Sequence, residues 1–196
     1  MIFKKFEIWV LFATNWGLFF DTISSALAWT VSFVEFRIGP DSSPRTLAKV
    51  YWATFNAAIS SAFFITTFRY MLLRIELNDI SKVAGDVMAH VINSVLMFCL
   101  LITSRHPMRL LHFYIPAIFC IVYMLFTLIY YKAGGLSPFD TVWIYPVLDW
   151  SQPRRTSLWA VISTCSIIVI HFVVVGITLG RDALTKQYTN PPVQVP

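Results

Sequence analysis

Three polar side chains that could do chemistry together lie in an apolar stretch near the middle of the chain. Asp86, His90 and Asn93 are spaced by four and then three residues, so in a helix they would share one face. An apolar stretch near the N-terminus contains Thr14 and Asn15. A threonine hydroxyl is a poor nucleophile until a neighbouring base, most often a neutral histidine, removes its proton. These residue types predict acyl transfer, with Thr14 as the nucleophile and His90 as the base.

Asp86 would support this pair, because a carboxylate one helical turn away can hold an imidazole in one tautomer. Asn93 and Asn15 would complete the polar surroundings. Thr14 and His90 could instead have a purely structural role. A threonine in an apolar helix often donates to the carbonyl four residues earlier, and a single histidine often joins two helices by a hydrogen bond.

Two further polar residues, Asp21 and His171, fall near the middle of apolar stretches. An unpaired ionisable group at that depth is costly. Because the two residues lie at equal depth, we expect their side chains to hydrogen-bond to each other if the first and fifth helices are neighbours. A structural contact is favoured over a proton relay. His106 and His112 lie near the ends of apolar stretches and are expected at the membrane interface.

The composition indicates where these residues must be positioned. Of the 196 residues, 57% are hydrophobic and only 13% are charged, whereas soluble domains average roughly 25% charged residues. A soluble domain, a disordered chain and a nucleic-acid-binding protein are therefore disfavoured. The net charge of +5 comes from scattered basic residues, which are typical anchors at a membrane interface. The three cysteines are dispersed and no metal or nucleotide motif is present, so no metal and no cofactor are expected.

Five apolar stretches are long enough to cross a bilayer, which takes about 20 residues. They lie at 8–32, 50–72, 84–104, 110–131 and 157–180. Spanning segments must be helical, because their backbone groups have no water to bond. The sequence predicts an all-α, multi-pass bundle that forms a single membrane domain over residues 1–196.

The segment 132–156 is rich in proline, tryptophan and tyrosine, and is predicted to be an interfacial loop. Thr14 and His90 each lie six residues into a span that starts from the same side, about 9 Å deep at 1.5 Å per residue. The loop would lie at that same side, either as a lid over the two residues or as an inert re-entrant segment.

Several motifs carry a family resemblance that runs in order from residue 6 to residue 180. They are Ala13-Thr14-Asn15-Trp16, residues 86–94, Leu110-Leu111-His112, residues 123–131, Gly134-Gly135 and residues 144–150. With these motifs the chain resembles the rolling stone family of multi-pass membrane proteins, which is linked to myoblast fusion. That family usually has six spans, so the resemblance implies that this chain lacks the first.

The rolling stone family is similar in turn to the androgen-induced membrane hydrolases, which cleave fatty-acid esters of hydroxy fatty acids with an intramembrane threonine and histidine. By position, these would be Thr14 and His90. Two functions are therefore expected: membrane organisation or cell fusion without chemistry, or alternatively intramembrane hydrolysis of a lipid ester. The expected partners are the bilayer and a lipid ester, not nucleic acid, and either the plasma membrane or the endoplasmic reticulum fits. A transporter or channel is less favoured, because no inverted repeat is visible.

Overall fold

Five long helices account for most of the computed structural model, which describes residues 8–39, 42–71, 80–104 and 106–189. No strand occurs in these ranges, so the predicted all-α fold is confirmed. The predicted end of the second span, residue 72, lies outside the described residues. The helices are α1 (Ala13–Ile38), α2 (Arg45–Met71), α3 (Ile80–Thr103), α4 (Leu110–Lys132) and α5 (Pro153–Thr189).

Among the described residues, four helices are both long enough and apolar enough to cross a membrane, namely α1, α3, α4 and α5. The fifth predicted span corresponds to α2, which has 27 residues but does not reach the same mean hydropathy. The reason is its position, because α2 packs against each of the other four helices. A helix that faces protein rather than lipid can carry small and polar residues, and α2 buries Asn56, Ser60 and Ser61.

The interior of the bundle is apolar, and so is much of its outer surface. Phe55, Ile59, Leu101 and Val174 are fully buried where the helices meet. Large apolar side chains also point outward along α1, α3, α4 and α5. An apolar surface of this extent would aggregate in water, whereas it is the expected surface of a helix bundle in lipid.

One turn of α3, Met88–Ile92, is a π-helix. A π turn inserts an extra residue into an α-helix, changes the direction of the side chains around it, and often occurs at functional sites. Neighbouring α2 supports this turn, because the Thr66 hydroxyl donates to the His90 carbonyl oxygen at 3.0 Å. The Ser94 hydroxyl, just after the turn, lies 3.2 Å from the carbonyl oxygen of Ala62. The turn therefore fixes the backbone of His90 against the central helix.

The segment between α4 and α5 has little regular structure besides a short 3₁₀ turn at Pro146–Leu148. Gly134 ends α4 with φ of 77°, a left-handed conformation that glycine adopts without a Cβ penalty. Two side-chain contacts tie the segment to α4: Tyr130 donates to the Leu136 carbonyl at 2.9 Å, and the Trp150 indole donates to the Thr127 hydroxyl at 3.0 Å. These contacts hold the segment across one end of the bundle.

Candidate active site

A cavity of about 260 Å³ opens at the end of the bundle where α1 begins and α2 finishes. Its volume is close to the lower end of small-molecule pockets, roughly 300 Å³. Helices α1 to α5 all contribute to its wall, and the segment after α4 closes it with Tyr145 and Leu148. Most of the lining is apolar and aromatic. The polar side chains in the wall are Thr14, Asn15, Arg69, His90, Tyr123, Tyr145 and Ser163.

Thr14 and His90 both line this cavity. Thr14 lies in the first turn of α1 and is half-buried. Other threonines, such as Thr22 and Thr30, donate to the carbonyl four residues earlier, at 2.7 and 2.8 Å. The Thr14 hydroxyl instead interacts with the Tyr145 hydroxyl. Its side chain is thus directed to the cavity wall and away from its own backbone.

Tyr145 lies in the segment that closes the cavity, beside the first residues of α1. Burial raises the pKa of the Tyr145 phenol, and hydrogen bonding to the Ala13 backbone, to Tyr123 and to Thr14 partly offsets that rise. The phenol therefore stays protonated at neutral pH and can donate a hydrogen bond into the cavity. The nearby Tyr123 hydroxyl donates to the Leu11 carbonyl at 2.7 Å, which fixes the aromatic wall against the residues before α1.

His90 is only 7% exposed and lies close to a carboxylate on the same helix. Its Nε2 is 3.7 Å from Asp86 Oδ1, which is longer than a hydrogen bond. Asp86 accepts instead from Arg69 Nε at 2.7 Å and from the Tyr70 hydroxyl at 3.0 Å. Asp86 is thus the ion-pair partner of Arg69 rather than the hydrogen-bond partner of His90. The His90 Nδ1 atom has no hydrogen-bond partner among the residues described.

The two asparagines proposed as supporting residues have different contacts. Asn15 donates to the Trp9 carbonyl at 2.7 Å and so fastens the residues before α1 to its first turn. Asn93 donates to Asp21 Oδ2 at 2.6 Å. Asn93 and Asp21 also line a second, very small cavity of about 10 Å³, together with Thr14 and His90. The structure therefore brings Asp21 to the Thr14–His90 site, and that contact was not predicted.

The predicted contact between Asp21 and His171 is wrong. His171 Nδ1 lies 3.4 Å from the Ser60 hydroxyl, and its Nε2 lies 3.1 Å from the Arg109 carbonyl oxygen. The central helix α2 explains the difference, because α1 packs mainly on one side of α2 while α5 packs on α2 and α4. Equal depth brought Asp21 and His171 to one level, but it did not make their helices neighbours.

His106, which is expected at the membrane interface, is buried inside the protein. Its side chain is only 2% exposed, with Nε2 at 3.3 Å from Asn56 Nδ2 and its ring 4.6 Å from the ring of Phe55. Burial lowers the pKa of His106 to about 3, with a smaller contribution from the positive charge of Arg181. His112 is partly exposed.

The family model described as Protein rolling stone matches residues 4–189. This chain belongs to the rolling stone family. Protein rolling stone of Drosophila melanogaster is 31% identical over an alignment that covers 74% of this chain. The alignment covers 57% of the Drosophila protein, so this chain spans little more than half the length of that relative. No solved structure matches the chain.

Family membership and the apolar helices together make this rolling stone family member an integral, multi-pass membrane protein. Within the described part of the chain, no group of three or more histidine, cysteine or acidic residues is placed to hold a metal ion. The site does contain a hydroxyl, an imidazole, a phenol and a guanidinium around one cavity. Such a set of groups can perform acyl transfer by general base catalysis, with donors available for a developing oxyanion.

Sequence reasoning missed four polar members of this site, namely Arg69, Tyr123, Tyr145 and Ser163. The segment containing Tyr145 was considered as a lid, and its aromatic residues were the signal that could have identified the phenol. Ser163 has a buried hydroxyl without a hydrogen-bond partner in the described ranges. Nothing in the local sequence of α5 distinguishes this serine from one that packs against a neighbouring helix.

Proposed function

We propose that this rolling stone family member hydrolyses a lipid ester within the membrane, with Thr14 as the nucleophile and His90 as the general base. The observation that carries the proposal is that both side chains line one largely apolar cavity of about 260 Å³. Apolar walls suit an acyl chain, and the two reactive groups would meet its carbonyl carbon. A fatty-acid ester of a hydroxy fatty acid is a substrate of this kind.

In the first half of the reaction, the imidazole of His90 takes the proton from Thr14 Oγ1 as that oxygen attacks the ester carbonyl carbon. The tetrahedral intermediate then collapses, the bond to the leaving alcohol breaks, and the imidazolium returns the proton to that alcohol. An ester between Thr14 and the acyl chain remains. In the second half, His90 deprotonates a water molecule that attacks the carbonyl carbon of this ester. The bond to Thr14 Oγ1 then breaks, the imidazolium returns the proton to that oxygen, and the fatty acid is released.

Arg69 and Tyr145 are the groups suited to stabilise the oxyanion. Both line the cavity, Arg69 carries a positive charge, and the Tyr145 phenol stays protonated. Donors that are fixed before the reaction stabilise a developing charge without reorganisation, and each is typically worth about 10²- to 10³-fold in rate. The ion pair with Asp86 holds the Arg69 side chain in place.

The proposal is tested with the purified protein in nanodiscs and a fluorescent lipid ester as substrate. Thr14→Ala and His90→Ala should each lower the hydrolysis rate by at least about 100-fold, the usual contribution of a general base. Thr14→Ser keeps a hydroxyl and should retain part of the activity. Thr22→Ala is the matched control, because Thr22 lies two turns along the same helix and its hydroxyl donates to the Leu18 carbonyl. Full hydrolysis by Thr14→Ala would contradict the proposal.

A role in membrane organisation or cell fusion without chemistry is the second candidate, and membership of the rolling stone family favours it. The two candidates give opposite results for the same variants. If the role is non-catalytic, cells expressing Thr14→Ala or His90→Ala should fuse as readily as cells expressing the unmodified protein. If fusion depends on hydrolysis, both variants should fail while Thr22→Ala succeeds.

A further inference from the structure

The side of His90 that faces α1 holds a second carboxyl group with unused hydrogen-bonding capacity. Asp21 is 4% exposed, and its Oδ2 accepts from Asn93 at 2.6 Å. Its other oxygen, Oδ1, is buried and has no hydrogen-bond partner in the part of the chain that the structure covers, and the same is true of His90 Nδ1. Leaving such buried atoms unpaired costs about 1–3 kcal/mol each.

Asp21 and His90 both line the cavity of about 10 Å³. A cavity of roughly 10–15 Å³ holds one water molecule, provided that two to four polar groups surround it. The polar atoms without a partner among the described residues in this wall are His90 Nδ1 and Asp21 Oδ1. One water can therefore pair both atoms, and the small volume has no room for a second.

We infer that Asp21 is the positioning residue of the site, orienting His90 through one buried water that accepts from His90 Nδ1–H and donates to Asp21 Oδ1. The inference rests on the proposed hydrolase function, and it names the group that fixes the tautomer of the base. With the proton on Nδ1, the unprotonated Nε2 is the atom that receives the Thr14 proton. As in a serine triad, the carboxyl group orients the imidazole through Nδ1, and Nε2 acts as the base. The difference is that a water lies between the carboxyl group and Nδ1.

The electrostatic surroundings favour Asp21 over Asp86 for this role. The charge of Asp86 is compensated by Arg69, whose Nε lies 2.7 Å from Oδ1. The partner of Asp21 is the neutral amide of Asn93. The opposite charges of Arg69 and Asp86 therefore partly cancel each other at an imidazolium formed during the reaction. The π turn of α3 contains His90 and ends just before Asn93, and both residues line the small cavity with Asp21.

The test is ¹⁵N NMR of the full chain in nanodiscs with labelled histidine, recorded at pH 8, where an ordinary imidazole with pKa of about 6.5 is neutral. His90 should show a protonated Nδ1 and an unprotonated Nε2. Asp21→Asn should shift the His90 signals and lower the fraction of the Nδ1–H tautomer. Ser60→Ala is the control, because Ser60 contacts His171 and should move the His171 signals while leaving those of His90 unchanged.

Hydrolysis kinetics give the second readout. Asp21→Asn should lower kcat by about 10-fold or more, with KM changed less than about two-fold, because Asp21 acts on the base rather than on substrate binding. A wild-type His90 with its proton on Nε2 would overturn the inference even if Asp21→Asn fails to fold. His90 signals that are unchanged in a folded Asp21→Asn variant would also overturn it. Loss of the proposed function is distinguishable, because Thr14→Ala would then stay active while the NMR result is unaffected.

Discussion

The two ends of the bundle bury similar polar residues and use them differently. At the first end, Thr14 and His90 line a cavity of about 260 Å³, and His90 Nδ1 has no protein partner within the described ranges. At the other end, His171 has a protein group facing each ring nitrogen, Ser60 on one side and the Arg109 carbonyl on the other. His106 packs against the ring of Phe55.

The two buried arginines, Arg69 at the first end and Arg181 at the other, differ in the same way as the histidines. Arg181 donates to three backbone carbonyls, those of Leu101 and Ser104 at 2.6 Å and that of His106 at 3.1 Å. It therefore closes the end of α3 and the turn that follows. Arg69 forms an ion pair with Asp86 and still faces the cavity. A buried histidine or arginine is thus no evidence of chemistry by itself, and an adjoining cavity with a nearby hydroxyl is what separates the two ends.

The largest expected effect comes from replacing one histidine at each end. His90→Ala should lower lipid-ester hydrolysis by about 10²- to 10⁴-fold, the range for a general base, and should lower the melting temperature less than His171→Ala does, because His90 Nδ1 has no protein partner within the described ranges. His171→Ala should lower the melting temperature, because the partners of both ring nitrogens lose their contacts, while kcat per folded molecule stays the same. Kinetics and thermal unfolding of both variants in one detergent check this. If His90→Ala and His171→Ala lose kcat equally, the first end is not the catalytic end of the bundle.

Arg181→Ala should give the next largest effect, on stability alone. Three carbonyl oxygens would lose charged hydrogen bonds, each worth about 1.5–3 kcal/mol in favourable cases, so a destabilisation of about 3 kcal/mol or more is expected. Arg154→Ala on the exposed first turn of α5 is the matched control. Chemical denaturation in detergent measures the difference. A loss below about 0.5 kcal/mol, typical of a surface substitution, would contradict the structural role of Arg181.

The pH dependence of stability tests the buried state of His106. Its pKa is lowered to about 3 from an unfolded value near 6.5, so the unfolded chain binds a proton between these values and the folded chain does not. Stability is therefore fully present above pH 6.5 and falls as the pH drops toward 3. Going from pH 7 to pH 5 should cost about 2 kcal/mol. In His106→Gln this contribution should vanish, and an unchanged slope would show that His106 is not buried as a neutral group.

A smaller effect is expected where the segment after α4 closes the first end. Trp150→Phe removes the hydrogen bond to the Thr127 hydroxyl but keeps an aromatic ring, so stability should fall by about 1 kcal/mol. Because Tyr145 and Leu148 of the same segment line the cavity, KM should rise a few-fold while kcat changes little. Trp29→Phe, on an exposed face of α1, is the control. If Trp150→Phe and Trp29→Phe have the same KM and kcat, the segment after α4 does not contribute to substrate binding at the site.

The sequence predicted the helices for a simple physical reason. Apolar runs of about 20 residues must be helical in lipid, and the rise per residue then sets the depth of each side chain. No comparable rule tells from the sequence which helices lie next to each other in the bundle. The positions of Asp21 and His171 did not reveal that α2 lies at the centre of the bundle and directs their side chains to other partners.

The partners of His90 show a second limit of the sequence. The spacing of Asp86 and His90 placed them on one face of α3, yet it could not show that Arg69 of α2 binds that carboxylate more closely. The π turn at Met88–Ile92 also has no signature in the apolar pattern. Contacts between helices therefore decided which carboxyl group adjoins the imidazole on the side of the small cavity.

The central claim is that Thr14 becomes acylated, and peptide mapping tests it most directly. The purified protein is mixed with a slowly hydrolysed lipid ester, quenched in acid and analysed by mass spectrometry. We expect an acyl group on Thr14, absent in Thr14→Ala and His90→Ala and present in Thr22→Ala. An adduct on the cavity residue Ser163, or hydrolysis that continues in Thr14→Ala, would contradict it.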